Sequence, residues 1–142
     1  MKRKKSFIVL TVIIIVVIAI SSIIGCSING FKEDDFEIAI TSIRIDGNKV
    51  TVKAQLKNNS WRNGLVTSSG LLHILYTDED GKPDWAIASI ALYNWIRCKQ
   101  KITVTEVFEL EKGKYTIRAV SGFDCNKNKS HFVYSVEKVI EV

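Results

Sequence analysis

The sequence predicts an all-β domain, an antiparallel β-sandwich of about seven strands, placed behind an apolar N-terminal segment. Three observations carry this. From Phe36 onward, apolar residues recur at every second position in short runs, the period of a half-buried strand. Turn-forming clusters separate the runs, at Asp46 to Asn48, Asn58 to Gly64, Asp78 to Pro83, Glu111 to Lys114 and Asp124 to Ser130. The chain has 142 residues, enough for one modest domain and too few for two ordinary ones.

Residues 1–25 form a leader. Lys2-Arg3-Lys4-Lys5 precede an apolar run from Phe7 to Ile20 broken only by Thr11, and Ser21-Ser22-Ile23-Ile24-Gly25-Cys26 follows. A basic head stays cytoplasmic while the apolar run enters the bilayer. Residues 26–35 are expected to be a tether, since Ser27 to Asp35 is short, polar and contains Gly30. Its acids, Glu33, Asp34 and Asp35, read with Glu37 as solvated chain, because a calcium site needs more oxygen ligands on a tight loop.

The domain, residues 36–142, opens with Phe36, Ile38 and Ile40 in alternation. Ile43 and Ile45 continue from the opposite parity, so one inserted residue near Thr41-Ser42 predicts a β-bulge. Asp46-Gly47-Asn48 is a hairpin turn, since Gly47 and Asn48 accept positive φ. Val50, Val52, Ala54 and Leu56 then alternate against Thr51, Lys53, Gln55 and Lys57, the clearest strand in the chain. Leu71 to Tyr76 is a short, nearly continuous apolar strand. Trp85 to Arg97 fits one or two strands, with a helix stripe of Trp85, Ala88, Ser89, Leu92 and Trp95 as the alternative. Ile102, Val104, Phe108 and Leu110 mark a further strand. Tyr115, Ile117, Ala119, Ser121 and Phe123 mark the next, and Phe132, Tyr134, Val136, Ile140 and Val142 the last.

Ile23-Ile24-Gly25-Cys26 resembles the lipobox of bacterial lipoproteins: an aliphatic residue, a tolerant position, a small residue, then cysteine. The resemblance implies a diacylglyceryl group on the Cys26 sulfur, cleavage after Gly25, and a domain held at the extracytoplasmic face of the cell membrane. The usual lipobox has Leu first and Ala or Ser second, from which Ile23 and Ile24 depart. Two acyl chains, at ~0.8 kcal/mol per buried methylene, would hold the protein stably. An uncleaved anchor helix is the alternative, since the 19 residues from Phe7 to Gly25 would span about 28 Å of helix against a hydrocarbon core of ~30 Å. A plain secretory signal is a third. All three place the rest of the chain outside the cytoplasm.

A second resemblance concerns the domain. Val50 to Asn59 looks like the B strand of bacterial immunoglobulin-like or fibronectin-like extracellular domains. Leu110 to Ala119 resembles their late Gly-x-Tyr-x-x-x-Ala strand, whose tyrosine, here Tyr115, would form the tyrosine corner. The resemblance implies an immunoglobulin-like fold and no particular activity.

Composition narrows the partners. The formal charge is +5, but four of the twenty basic residues are Lys2 to Lys5 and residues 1–25 hold no acid, leaving sixteen basic residues against fifteen acidic ones. That excess is too small to displace phosphate counterions, so no nucleic-acid partner is expected. In an extracytoplasmic compartment Cys98 and Cys125 are an obvious disulfide pair. If the Ile102 and Tyr115 strands form a hairpin around Glu111 to Lys114, the start of one lies beside the end of the other. The closed loop would be worth roughly 3.6 kcal/mol by chain entropy.

No catalytic constellation emerges. His73 lies inside an apolar strand and is expected to be structural; His131 opens a strand beside a Lys-rich loop and is expected to be exposed. Two histidines without a nearby Cys-x-x-Cys or His-x-x-x-His leave no metal site, and no cofactor motif is present. Asp78-x-Asp80-Gly81 lacks the later ligands of a calcium loop. Trp85 and Trp95 are expected in the core. Trp61, next to Arg62 in a polar loop, is the candidate binding surface, since exposed aromatics suit carbohydrate or protein partners.

The expected function is a non-catalytic binding or structural module at the cell envelope, its partners the membrane and an envelope protein or wall polymer. Asn58-Asn59-Ser60, Asp80-Gly81-Lys82-Pro83-Asp84-Trp85 and Gly113-Lys114-Tyr115-Thr116 are also similar to bacterial proteinase-inhibitor domains. Those usually carry an aliphatic residue where Asp84 stands. An envelope hydrolase is the enzymatic alternative.

Overall fold

Alternation of apolar and polar side chains builds eight strands in the computed structural model, which describes residues 30–79, 81, 92–125 and 129–142. They are β1 (Phe36–Asp46), β2 (Lys49–Asn58), β3 (Gly64–Ser68), β4 (His73–Thr77), β5 (Leu92–Ile96), β6 (Lys101–Glu109), β7 (Lys114–Cys125) and β8 (Ser130–Glu141). A single 3₁₀ turn, Glu33–Asp35, precedes β1. The leader, Cys26 and Trp85 lie outside the described residues. Among the described residues no helix is long and apolar enough to cross a membrane.

Every strand pairing is antiparallel, in two sheets. The first has the order β1-β2-β6. In the second, β7 pairs with β8 along one edge and shares its other edge between β4 (Thr116 to Val120) and β3 (Asp124 and Cys125). β5 lies beyond β3. Val50, Val52, Ala54 and Leu56 of β2 are all buried, as are Ile117, Ala119 and Phe123 of β7, and they belong to one contiguous core. Each such Val, Leu, Ile or Phe side chain contributes about 1.5–3 kcal/mol of burial, and each Ala about 0.8 kcal/mol.

The predicted bulge is present. Ile40 pairs with Ala54 and Ser42 with Lys53, so Thr41 is the extra residue, and its Oγ1 donates to the Lys53 carbonyl at 3.1 Å. Gly47 takes φ +61° in a two-residue loop joining the paired Asp46 and Lys49, the positive φ that a primed hairpin turn demands. Two groups of aromatic rings join the sheets. Phe36 of β1 packs edge-on to Phe123 of β7 at 5.0 Å, and Tyr76 of β4 meets Phe108 of β6 at 5.0 Å.

The structure corrects several expectations. β6 and β7 do not form a hairpin, because they belong to different sheets. Leu110 is buried at the crossover, the Tyr115 hydroxyl donates to the Glu111 carbonyl at 3.1 Å, and Gly113 exchanges two backbone hydrogen bonds with Val142. The disulfide that the hairpin would have allowed is absent: Cys98 and Cys125 are free thiols, the first half-buried and the second buried. β3 separates them, with β5 on one edge and β7 on the other. The β5 residue level with Cys125 across Val66 is Asn94, two inter-strand spacings or about 9.6 Å away, already beyond the ~7 Å between Cα atoms that a bridge can span, and Cys98 lies four residues further along the chain.

The expected tether, residues 26–35, overlaps the packed body. Phe31 is 3% exposed and packs on Phe36 at 5.0 Å, so the packed body begins before β1. The acidic run is not all solvated, since Asp35 is buried and pairs with Arg62. Of the stretch Trp85 to Arg97, residues 92–96 form β5; the part before residue 92 lies outside the described residues. Trp95 is 56% exposed rather than in the core.

Candidate functional site

The site is built by the outer face of the second sheet. In β3 and β5, Val66 and Ile96 are fully buried, so their neighbours along each strand point outward. Cross-strand partners share a face, and Leu65 pairs with Trp95 and Thr67 with Tyr93. Thr67 also pairs with Asp124 of β7, and Asp124 with His131 of β8. Tyr93, Thr67, Asp124 and His131 therefore form one row across four strands. Beside that row Trp95 and Leu65 make an apolar step. Tyr93 is 73% exposed and Leu65 41%, leaving two aromatic rings two residues apart on open surface.

The row runs into a cavity of about 430 Å³, lined among others by Gly70, His73, Gly122, Asp124 and His131. Asp124 Oδ1 lies 2.6 Å from His131 Nδ1, an exposed carboxylate–imidazole pair. A side chain at Gly122 would meet nothing within 4 Å, so this glycine leaves the floor open. A Cβ at Gly70 would stand 2.5 Å from His73 Cε1, so only glycine lets the loop before β4 approach the ring. His73 Nε2 is buried without a hydrogen-bond partner among the described residues. No group of three metal-ligating side chains occurs among the described residues.

The two sequence-predicted surface residues separate. Trp61 is 71% exposed, with the Lys99 ammonium 4.9 Å above its ring, a cation–π contact. Arg62 is turned inward. Its Nη1 donates to Asp35 Oδ2 at 3.1 Å and to the Gly30 carbonyl at 3.2 Å, so it clamps the N-terminal segment rather than facing a ligand. Asp35 Oδ2 also accepts from the Lys32 backbone amide at 2.7 Å. The sequence does not mark Tyr93 and Trp95 as a surface, and Trp95 is expected in the core. Their signal was the alternation Tyr93-Asn94-Trp95, whose parity cannot be assigned to a face without a known partner strand.

No protein-family model matches the chain, and no curated protein matches it. Solved structures with a similar course include the β-glucuronidase of Bacteroides uniformis, at 9% identity and TM-score 0.44 over 77% of this chain and 13% of that one. The β-glucosidase of Listeria innocua in complex with gluconolactone gives 14% identity and TM-score 0.38 over 72% of this chain and 16% of that one. A structural-genomics target is 9% identical at TM-score 0.43, over 78% of this chain and 89% of that one. The chain thus spans about a seventh of the length of the glycosidases it matches. With every one of these TM-scores below 0.5, the functional reading rests on the residues of the site.

Proposed function

We propose that this chain is an extracytoplasmic lipoprotein, fastened through Cys26, whose immunoglobulin-like domain binds an envelope partner without catalysis. The fold assignment is supported by β1, β2 and β6 in one sheet and β3, β7 and β8 in the other, and by the Tyr115–Glu111 bond. Both correspond to the strand partition and the tyrosine corner of immunoglobulin-like sandwiches. The observation that carries the binding role is the exposed pair Tyr93 and Trp95 on one face of β5. Flat rings stack on the apolar faces of sugars, and Thr67, Asp124 and His131 alongside them offer hydroxyl, carboxylate and imidazole groups for sugar hydroxyls. A wall polymer is therefore the favoured partner.

The test is retention of the full chain, in detergent, on purified wall polymer and on an envelope-protein extract. An aromatic anchor buried by its partner is worth about 2 kcal/mol or more, so Tyr93→Ala/Trp95→Ala, which removes two, should weaken retention by at least about thirtyfold. Unchanged binding to both materials would remove this face from the function.

A second reading, an envelope hydrolase, is favoured by one observation, the Asp124–His131 pair at the cavity mouth. Turnover of wall glycans or peptides that His131→Ala abolishes would establish it.

A further inference from the structure

The chain leaves the folded body beside the Trp61 loop. Gly30 is held there by Arg62, and Phe31 is packed so closely that a Cβ at Gly64 would lie 2.6 Å from its ring. Four residues separate Phe31 from Cys26. Five Cα steps reach at most about 18 Å, so a lipid on Cys26 keeps this end of the domain next to the bilayer.

The loop at this end is fixed in advance. Asn58 is 1% exposed. Its Nδ2 donates to the Arg62 and Arg97 carbonyls, both at 2.9 Å. Its Oδ1 accepts from the Ser60 amide at 2.9 Å and hydroxyl at 2.7 Å. The Lys99 amide donates to the Ser60 carbonyl at 3.1 Å, and Cys98 N–H bonds the Asn63 side chain. The loop before β3 and the turn after β5 are thereby tied into one tip, and Trp61 stands exposed on it. Lys99 and Arg97 are exposed on the same tip, with Lys101 and Lys57 paired behind it. The exposed acids at this end are Glu33, Asp34 and Glu37, and Asp35 is neutralised by Arg62.

We infer that this tip docks on the membrane itself: the Trp61 indole enters the headgroup layer while Arg97, Lys99 and Lys101 meet anionic lipid phosphates. The inference rests on Cys26 being the lipid-bearing residue. Tryptophan is enriched at membrane–water interfaces because one part of the ring is apolar and the other carries an N–H donor. Basic side chains next to an anionic surface add to the attraction within a Debye length. Anchor and tip together would hold the domain in one orientation, with the Asp46–Lys49 and Glu111–Lys114 turns pointing away from the lipid.

The experiment uses the full chain in vesicles of phosphatidylcholine with phosphatidylglycerol, carrying bromine on the upper acyl positions. Trp85→Phe/Trp95→Phe leaves Trp61 as the reporter; comparison of the unaltered chain with Trp61→Phe gives the same information if that pair fails to fold. Trp61 emission should shift to shorter wavelength and be quenched by the bromolipid. Arg97→Gln/Lys99→Gln/Lys101→Gln, high salt or pure phosphatidylcholine should each relieve that quenching. Vesicle-bound protein whose Trp61 emission is unquenched, and stays open to aqueous iodide, would overturn the tip while leaving the anchor intact. Cys26→Ala tests the anchor separately: expressed in a bacterial host, it should take up no lipid label and keep residues 1–25 attached, and normal removal of residues 1–25 from this variant would overturn the lipid on Cys26.

Discussion

Tyr134 shows how one side chain senses several parts of the chain. It lies on β8, its ring 5.7 Å from Phe36 and 6.1 Å from Phe123, and its hydroxyl donates to the Glu33 carbonyl at 2.8 Å. Burial, then the negative charges of Glu33, Asp35 and Asp34, push the phenol up to about 12, against an ordinary value near 10. The folded state therefore holds this proton more tightly than the unfolded state does. The resulting stabilisation is complete below about pH 10 and is lost as pH rises towards about 12. An alkaline titration of phenolate absorbance should show a late step near 12, and Tyr134→Phe should remove it. A titration curve whose alkaline end Tyr134→Phe leaves unchanged would contradict the packing of Glu33 on β8. At this scale the sequence was partly legible. Exposure of Trp61 followed from its polar loop. The inward turn of Arg62 did not, because its partner Asp35 lies 27 positions away in a run that composition alone marks as solvated.

At the scale of an element, β1 carries the most information. Its parity change between Ile40 and Ile43 is visible in the sequence because each strand residue must face either the core or solvent. Thr41 absorbs the mismatch. Its removal keeps Phe36, Ile38 and Ile40 on the core side and leaves Ile43 opposite Val52, so deletion of Thr41 should cost within about 1 kcal/mol in urea unfolding. Deletion of Ala39 moves Phe36 and Ile38 to the opposite face and should cost upward of about 3 kcal/mol. Equal losses from the two deletions would show that the bulge does not set the register. The connection after β6 was less legible. Alternation locates both β6 and β7, and Glu111 to Lys114 look like a hairpin loop. Which sheet the second strand joins depends on the burial of Leu110, the Tyr115–Glu111 bond and the pairing of Gly113 with Val142. None of these is a local property of the loop.

For the whole molecule, the order of strands decides what the cysteines can do. Oxidising surroundings favour pairing of any two cysteines within reach, but reach is set by topology. Because β6 and β7 lie in different sheets, the closing of a hairpin does not bring Cys98 towards Cys125. Cys98 follows β5, its amide held by Asn63 at the start of β3. Cys125 pairs with Val66 on the far edge of β3 and faces the core. The two thiols thus differ in environment as well as position. Alkylation of the native, unreduced protein, with the labelled peptides separated by mass, should modify Cys98 quickly. Cys125, 1% exposed, should react only as fast as the domain opens, and denaturant without reductant should expose it fully. Prior reduction should change neither rate. Labelling at both positions that appears only after reduction would mean that Cys98 and Cys125 are bonded. β3 could not then lie between them, and both the order of the second sheet and the Tyr93–Thr67–Asp124–His131 row would have to be redrawn.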